Sequence, residues 1–163
     1  MLLFTNSYRV PCTNCNEIEV FDVSNPEEMV AGIIYKCKNF LCIDNIQIYS
    51  RFKRKYDGHH IGTNLFLHLL TLLEKQDIRF DYIKGELTYT DARVNWIKSI
   101  PFYLHIPRYV KKLPYCLLTE IHDSETDEIV FSSSDEVDEI KLSAYAKYCE
   151  ENHKDAYFIM RKI

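Results

Sequence analysis

The sequence predicts a single α/β (α+β) domain, and three observations carry that expectation. Residues 17–23, Glu17-Ile18-Glu19-Val20-Phe21-Asp22-Val23, alternate polar and apolar side chains, the period of a strand with one buried face. Residues 29–36 and 41–49 are apolar runs rich in β-branched side chains around the short turn Cys37-Lys38-Asn39-Phe40, the pattern of a hairpin. Residues 62–76 repeat leucine at helical spacing (Leu65, Leu69, Leu72 and Leu73), with Phe66 and Leu70 widening the stripe. Ile78–Leu87 then reads as another strand, so strand, helix and strand follow in the order of a right-handed crossover.

The other elements follow in chain order. Residues 1–16 have no clean period and are expected to form an extended arm. Ser24-Asn25-Pro26-Glu27-Glu28 is turn chemistry between the first two strands. Thr88–Asp91 is a polar turn, and a helix is expected from about Ala92 to His105, kinked or restarted at Pro101 and ended by Pro107. Leu113–His122 and Glu128–Ser132 read as strands around the acidic loop Asp123–Asp127. The acidic run from Asp135 suits a helix N-terminus by dipole complementarity, which gives a helix over 135–152 with Ile140, Ala144, Tyr145 and Tyr148 as its apolar side. Residues 156–160 make a short closing strand.

A chain of 163 residues with 47% hydrophobic and 27% charged side chains is long and apolar enough for one core. It shows no internal repeat and no linker, so 1–163 is expected to be one domain. The net charge of −4 argues against general nucleic-acid binding, in which neutralising phosphates is the main term. The start Met1-Leu2-Leu3-Phe4-Thr5 lacks the charged flank of a signal peptide, and no apolar run approaches a membrane span. The expectation is a cytoplasmic protein with reduced thiols, without nucleic-acid or membrane partners, and either monomeric or homodimeric. Of the cysteines, Cys12, Cys15, Cys37 and Cys42 have spacings near those of a structural zinc site. The second pair is spaced too widely for the commonest ribbons and flanks a hairpin turn. Free thiols and no metal are therefore the preferred reading, with zinc the alternative. Cys149 and His153 share a helix face and read as an incidental pair.

The segment Tyr56-Asp57-Gly58-His59-His60-Ile61-Gly62-Thr63 stands between a strand and the leucine-rich helix. The first turn of a helix has N–H groups without acceptors in the helix, and its dipole favours negative charge. A strand, a glycine-containing turn and a helix start together form a place for an anionic group, and a plain strand-to-helix turn is the simpler alternative. The basic cluster Arg51-Phe52-Lys53-Arg54-Lys55 lies just before it.

With these residues the order of elements resembles the GNAT superfamily of acyl-CoA-dependent N-acetyltransferases. Ile61-Gly62-Thr63-Asn64-Leu65 matches the second half of the family's phosphate turn. Ile78–Leu87 followed by Asp91, Asn95 and Phe102-Tyr103 resembles its next strand and helix, and Phe158–Ile163 its terminal strand. The motif is degenerate: Asp57 stands where the family has Arg or Gln, and His60 where it has the first glycine. The Gly-Phe that usually follows the Phe-Tyr helix is absent, and 135–152 resembles an insertion before the last strand. The resemblance implies a mixed, mostly antiparallel central sheet with helices on both faces. It implies acetyl-CoA as cosubstrate, with its pyrophosphate on the backbone of Gly58, His59, His60, Ile61, Gly62 and Thr63. Ile46, Ile48 and Asn95 complete the cofactor set, the pantetheine arm lying between strands 41–49 and 78–87. A primary amine of a small molecule or peptide would attack the thioester directly, with Tyr103 protonating the leaving thiolate. Glu86 or Asp91 would take the amine's proton, and Asp44 is a further carboxylate to weigh. The alternative is a catalytically degenerate module of the same fold that binds CoA weakly or holds a protein partner.

Overall fold

The computed structural model describes residues 1–8, 15–58, 60–109, 117–134 and 136–163, which fall into two units, Met1–Phe80 and Asp81–Ile163. In the first unit, β1 (Leu2–Tyr8), β2 (Asn16–Asp22), β3 (Asn25–Cys37) and β4 (Leu41–Ile48) pair in that order, each antiparallel to the next. The residues expected as an arm are extended and paired with β2, from Leu2 opposite Asp22 to Tyr8 opposite Asn16. The central strand β3 is buried on both faces through Val30, Ala31 and Ile33, which is why it reads as a continuous apolar run without alternation.

The turn expected over residues 24–28 is shorter than its composition suggests, and β3 already begins at Asn25. Asp22 closes the reversal itself by accepting the Ser24 N–H at 3.0 Å. Pro26 has no N–H for the ladder, and the register absorbs it: Phe21 faces Met29 while Asp22 faces Asn25. A short helix, α1 (Ser50–Lys53), covers part of the basic cluster. The leucine-rich helix α2 (Ile61–Lys75) packs on β2, β3 and β4, and it buries Ile61, Leu65, Phe66, Leu69, Leu70 and Leu73, close to the expected stripe. Leu72 lies off that face.

In the second unit the strand order is β5 (Tyr82–Leu87), β8 (Ala156–Lys162), β6 (Leu117–Asp123) and β7 (Ile129–Ser132), again antiparallel throughout. The strand begins at Tyr82 rather than Ile78, because Ile78–Asp81 follow a left-handed Asp77 that ends α2. Of the expected strand over 113–122, residues 113–116 lie outside the described residues. After a 3₁₀ turn (Tyr89–Asp91), a π-helical turn at Ala92–Trp96 leads into α3 (Ile97–Tyr109). The helix runs through both Pro101 and Pro107, contrary to the expected break and stop. Each proline removes only one N–H donor, and burial of Ile100, Tyr103, Leu104 and Ile106 holds the helix together.

Helix α4 (Glu139–Asn152) starts later than the acidic run suggested, because Asp138 is its N-cap and accepts from Ile140 N at 2.9 Å and Lys141 N at 3.2 Å. Its buried side is Leu142, Ala146 and Cys149, whereas Ile140 is 84% exposed and Tyr148 46%. The expected apolar side is thus turned outward except for Tyr145. Its spacing fits a helix as well as that of Leu142, Ala146 and Cys149, and packing against the π-helical turn, where Tyr145 meets the buried Trp96, selects the other face. No helix among the described residues is long and apolar enough to cross a membrane.

Candidate active site

The chain enters α2 through two left-handed residues, Gly58 and His60. Gly58 has φ +76°, with open space where a β-carbon would stand, and His60 has φ 51° and ψ 38°, left-handed at the N-cap. Glycine adopts this conformation freely, and histidine is among the side chains that tolerate it. His60 therefore takes a glycine-like backbone at the position where the family's first motif glycine was expected. It makes no side-chain cap, and the first turn of α2 carries no acidic residue. The first intrahelical bond runs from Asn64 N to His60 O at 2.9 Å. The N–H groups of Ile61, Gly62 and Thr63 are then left without acceptors inside the helix, which is the donor set an anion needs. Gly62 and Thr63 are partly exposed, Ile61 is buried at 2%, and Gly58 and His60 are exposed. His59 lies outside the described residues. Ile46 and Ile48 are half-buried on β4.

The basic cluster beside the turn is only partly available. Lys55 Nζ pairs with Asp22 at 3.0 Å, whereas Lys53 and Arg54 are exposed. Asp22 also accepts from the Tyr56 hydroxyl and from Ser24. These bonds, Tyr56 first, hold its carboxyl well below the usual carboxylate range. Nothing in the sequence singled out Asp22, because its partners Lys55 and Tyr56 stand 33 and 34 residues away.

In the second unit, Tyr103 sits on α3 with its ring stacked on Phe158 at 3.9 Å and edge-on to Phe102 at 5.1 Å. It is 6% exposed, and burial pushes its phenol up, so the group carries its proton at neutral pH. Among the described residues its hydroxyl has no hydrogen-bond partner. Asn95, in the π-helical turn, is exposed, as are Glu86 on β5 and Asp91 in the 3₁₀ turn. Glu86 does not meet Tyr103. On β5, Gly85 faces Phe158 and Glu86 faces Tyr157, so the alternation of the strand puts Glu86 on the sheet face opposite the Tyr103 ring. Glu86 instead lines a shallow cavity of about 280 Å³ with Lys84, Asp127, Asp155 and Tyr157. There the Tyr157 hydroxyl donates to Asp127 at 2.8 Å, and Lys84 Nζ lies 4.4 Å from the Tyr157 ring centre.

The thiols of Cys15 and Cys42 donate to the two oxygens of Asp44, at 3.1 and 3.3 Å, and Lys36 pairs with the same carboxylate at 3.7 Å. Asp44, weighed as a base, is thus engaged by thiols. Cys12 lies outside the described residues, and among the described residues no group of three or more His, Cys, Asp or Glu side chains is arranged so that it could hold a metal ion.

No protein-family model matches the sequence, and no curated protein is similar to it. Solved structures do match. An acetyltransferase of Bacillus subtilis in complex with CoA aligns over 100% of this chain and 99% of its own, with a TM-score of 0.54 at 9% identity. A nourseothricin acetyltransferase aligns over 92% of this chain with a TM-score of 0.50 at 12% identity. A protein of Bacillus anthracis described as a streptothricin acetyltransferase, solved with acetyl-CoA, does so over 92% with a TM-score of 0.50 at 11% identity. The chain spans 66% and 63% of the lengths of those last two. The fold is therefore the mixed α/β, mostly antiparallel fold of the GNAT acetyltransferases.

Proposed function

We propose that this protein is an acyl-CoA-dependent N-acetyltransferase that moves an acetyl group from acetyl-CoA to a primary amine of a small molecule or peptide. The observation that carries the reading is the start of α2 within this fold: two positive-φ residues, Gly58 and His60, then a first helical turn with no side-chain cap and no acidic residue. Phosphate oxygens are the ligands such a turn suits. Ile61, Gly62 and Thr63 would offer their N–H groups, with Gly58, His59 and His60 forming the approach. Ile46, Ile48 and Asn95 are proposed as further contacts of the cofactor.

In the reaction the amine nitrogen attacks the thioester carbonyl carbon, the carbon–sulfur bond breaks, and the sulfur takes a proton. Tyr103 is assigned that proton: its phenol stays protonated at neutral pH, as a general acid must. The attacking amine gives up its own proton to an exposed carboxylate, directly or through water; Asp91 is the candidate kept for this, since Glu86 lies on the sheet face opposite the Tyr103 ring. Soluble, cytoplasmic action belongs to the same proposal.

Thermal unfolding with and without acetyl-CoA tests it. A ligand at about a hundred times its dissociation constant adds roughly 2.7 kcal/mol, a shift of a few degrees for a domain of this size. A saturable shift supports the reading and justifies a screen of amines. No shift up to millimolar acetyl-CoA would leave a module of this fold without the cosubstrate, with Asp57 and His60 as the residues that close the turn.

A further inference from the structure

We propose that Asp22 is the positioning residue of the anion-binding turn: it holds the segment before α2 and so sets the aim of the helix's first N–H groups. The inference rests on the acetyl-CoA reading of that turn. Asp22 ends β2, and its side chain is 9% exposed. One oxygen accepts from Ser24 N at 3.0 Å and Ser24 Oγ at 2.7 Å, which fixes the carboxylate to the β2–β3 reversal. The other accepts from Lys55 Nζ at 3.0 Å and from the Tyr56 hydroxyl.

The carboxylate therefore ties the end of the β2–β3 hairpin to the stretch that leads into α2. Tyr56 is fastened in main chain as well, its N–H donating to Phe52 O at 3.1 Å, and the Lys55 ammonium lies 5.1 Å from the Tyr56 ring centre. Beyond Tyr56, the exposed Gly58 and His60 both take left-handed backbone before the helix begins at Ile61. For His60, unlike glycine, the left-handed backbone carries a cost that its surroundings must meet, and the side-chain bonds to Asp22 stand at the near end of this segment. Asp22 also sets the local charge. It pairs with Lys55, whereas Lys53 and Arg54 of the same cluster are exposed and could meet a phosphate.

Tyr56→Phe is the cleanest probe, because it removes the phenol's bond and leaves both the Lys55 ion pair and the net charge in place. Asp22→Asn is the stronger probe. Amide hydrogen exchange of the unliganded variants should rise about tenfold or more over residues 54–64 and stay unchanged in β2 and β3. Calorimetric titration with acetyl-CoA should show the dissociation constant rising about fivefold in Tyr56→Phe. In steady state KM for acetyl-CoA should rise while kcat at saturation holds. Unchanged exchange over 54–64 overturns the proposal whether or not acetyl-CoA binds. Exchange that rises throughout the first unit overturns it as well, since Asp22 would then be a general structural residue. A wild-type protein that binds no acetyl-CoA, with exchange over 54–64 still raised in both variants, overturns the acetyl-CoA reading and leaves Asp22 as the holder of the turn. Should Asp22→Asn fail to fold, Tyr56→Phe decides alone.

Discussion

The turn before α2 and the surroundings of Tyr103 carry the two halves of the proposed chemistry, and they are built by opposite means. The turn is exposed, irregular and fastened at its near end by polar bonds to the carboxylate of Asp22. Tyr103 is enclosed by aromatic side chains, and no polar group among the described residues meets its hydroxyl. Binding an anion needs main-chain donors in water's reach, so a strained turn with a strong external tie serves it. Keeping a phenol protonated needs only apolar neighbours, and packing serves that. Damage to packing should therefore cost stability in the second unit, whereas damage to the tie should cost geometry in the first.

The largest expected effect is on packing. Phe158 is 1% exposed, forms the stacking partner of Tyr103, and stands opposite Gly85, where an added β-carbon would overlap its ring. Phe158→Ala should destabilise the protein by about 3–5 kcal/mol, read from denaturant unfolding. A loss under about 1 kcal/mol would mean that the aromatic enclosure is loose. Next comes the phenol itself. Tyr103→Phe keeps the ring stack and removes only the proton donor, so turnover should fall about a hundredfold, roughly 2.7 kcal/mol of transition-state stabilisation. Affinity for acetyl-CoA should stay within about twofold. Full turnover in the variant would remove Tyr103 from the mechanism and leave the second unit's half of the comparison purely structural.

The tie in the first unit should be visible in acid. Tyr56, Ser24 and Lys55 depress the carboxyl of Asp22 in the folded protein, so between its ordinary value of 3.8 and its folded value the unfolded chain binds more protons. Its contribution is thus fully present above about pH 4 and is lost as pH falls further. Unfolding midpoints measured from pH 5 to pH 2 should drop less steeply in Asp22→Asn than in the wild type. Parallel curves would show that the carboxylate does not hold the turn in solution.

The same contrast explains what could be read from the sequence. Helix α2 and the β3–β4 hairpin were legible because their periodicity is local, and the turn was legible because glycines and a helix start are adjacent in the chain. Asp22 was not, since its role depends on residues 33 and 34 positions away. Nor was the buried side of α4. Ile140, Ala144 and Tyr148 and the true set Leu142, Ala146 and Cys149 have equally helical spacing, and only tertiary packing separates them. The prolines of α3 misled for a related reason, as burial of Tyr103 and its neighbours outweighs the lost N–H donors. That Glu86 and Tyr103 occupy opposite faces of one sheet follows from the register of β5 on β8, which no local pattern carries.

Smaller effects belong to the helix starts, which differ in the same way as the two sites. Asp138 caps α4 through two N–H groups, so Asp138→Ala should cost about 1 kcal/mol in thermal or denaturant unfolding. The start of α2 has no such cap, and His60 occupies a left-handed backbone there. His60→Gly would relieve a strain of roughly 1 kcal/mol, and the greater freedom of glycine in the unfolded chain would cost about 0.5–1 kcal/mol. These two backbone terms nearly cancel, so any loss of stability in the variant reads the contacts that the His60 side chain makes. Affinity for acetyl-CoA should rise, because the variant keeps the backbone and clears the side chain from the approach to Ile61, Gly62 and Thr63. His60→Val, with a β-branched side chain in the same backbone, should lose more than 1 kcal/mol. If the glycine variant were strongly destabilised, His60 would be making contacts that matter more than its backbone, and the turn would be held by packing just as Tyr103 is.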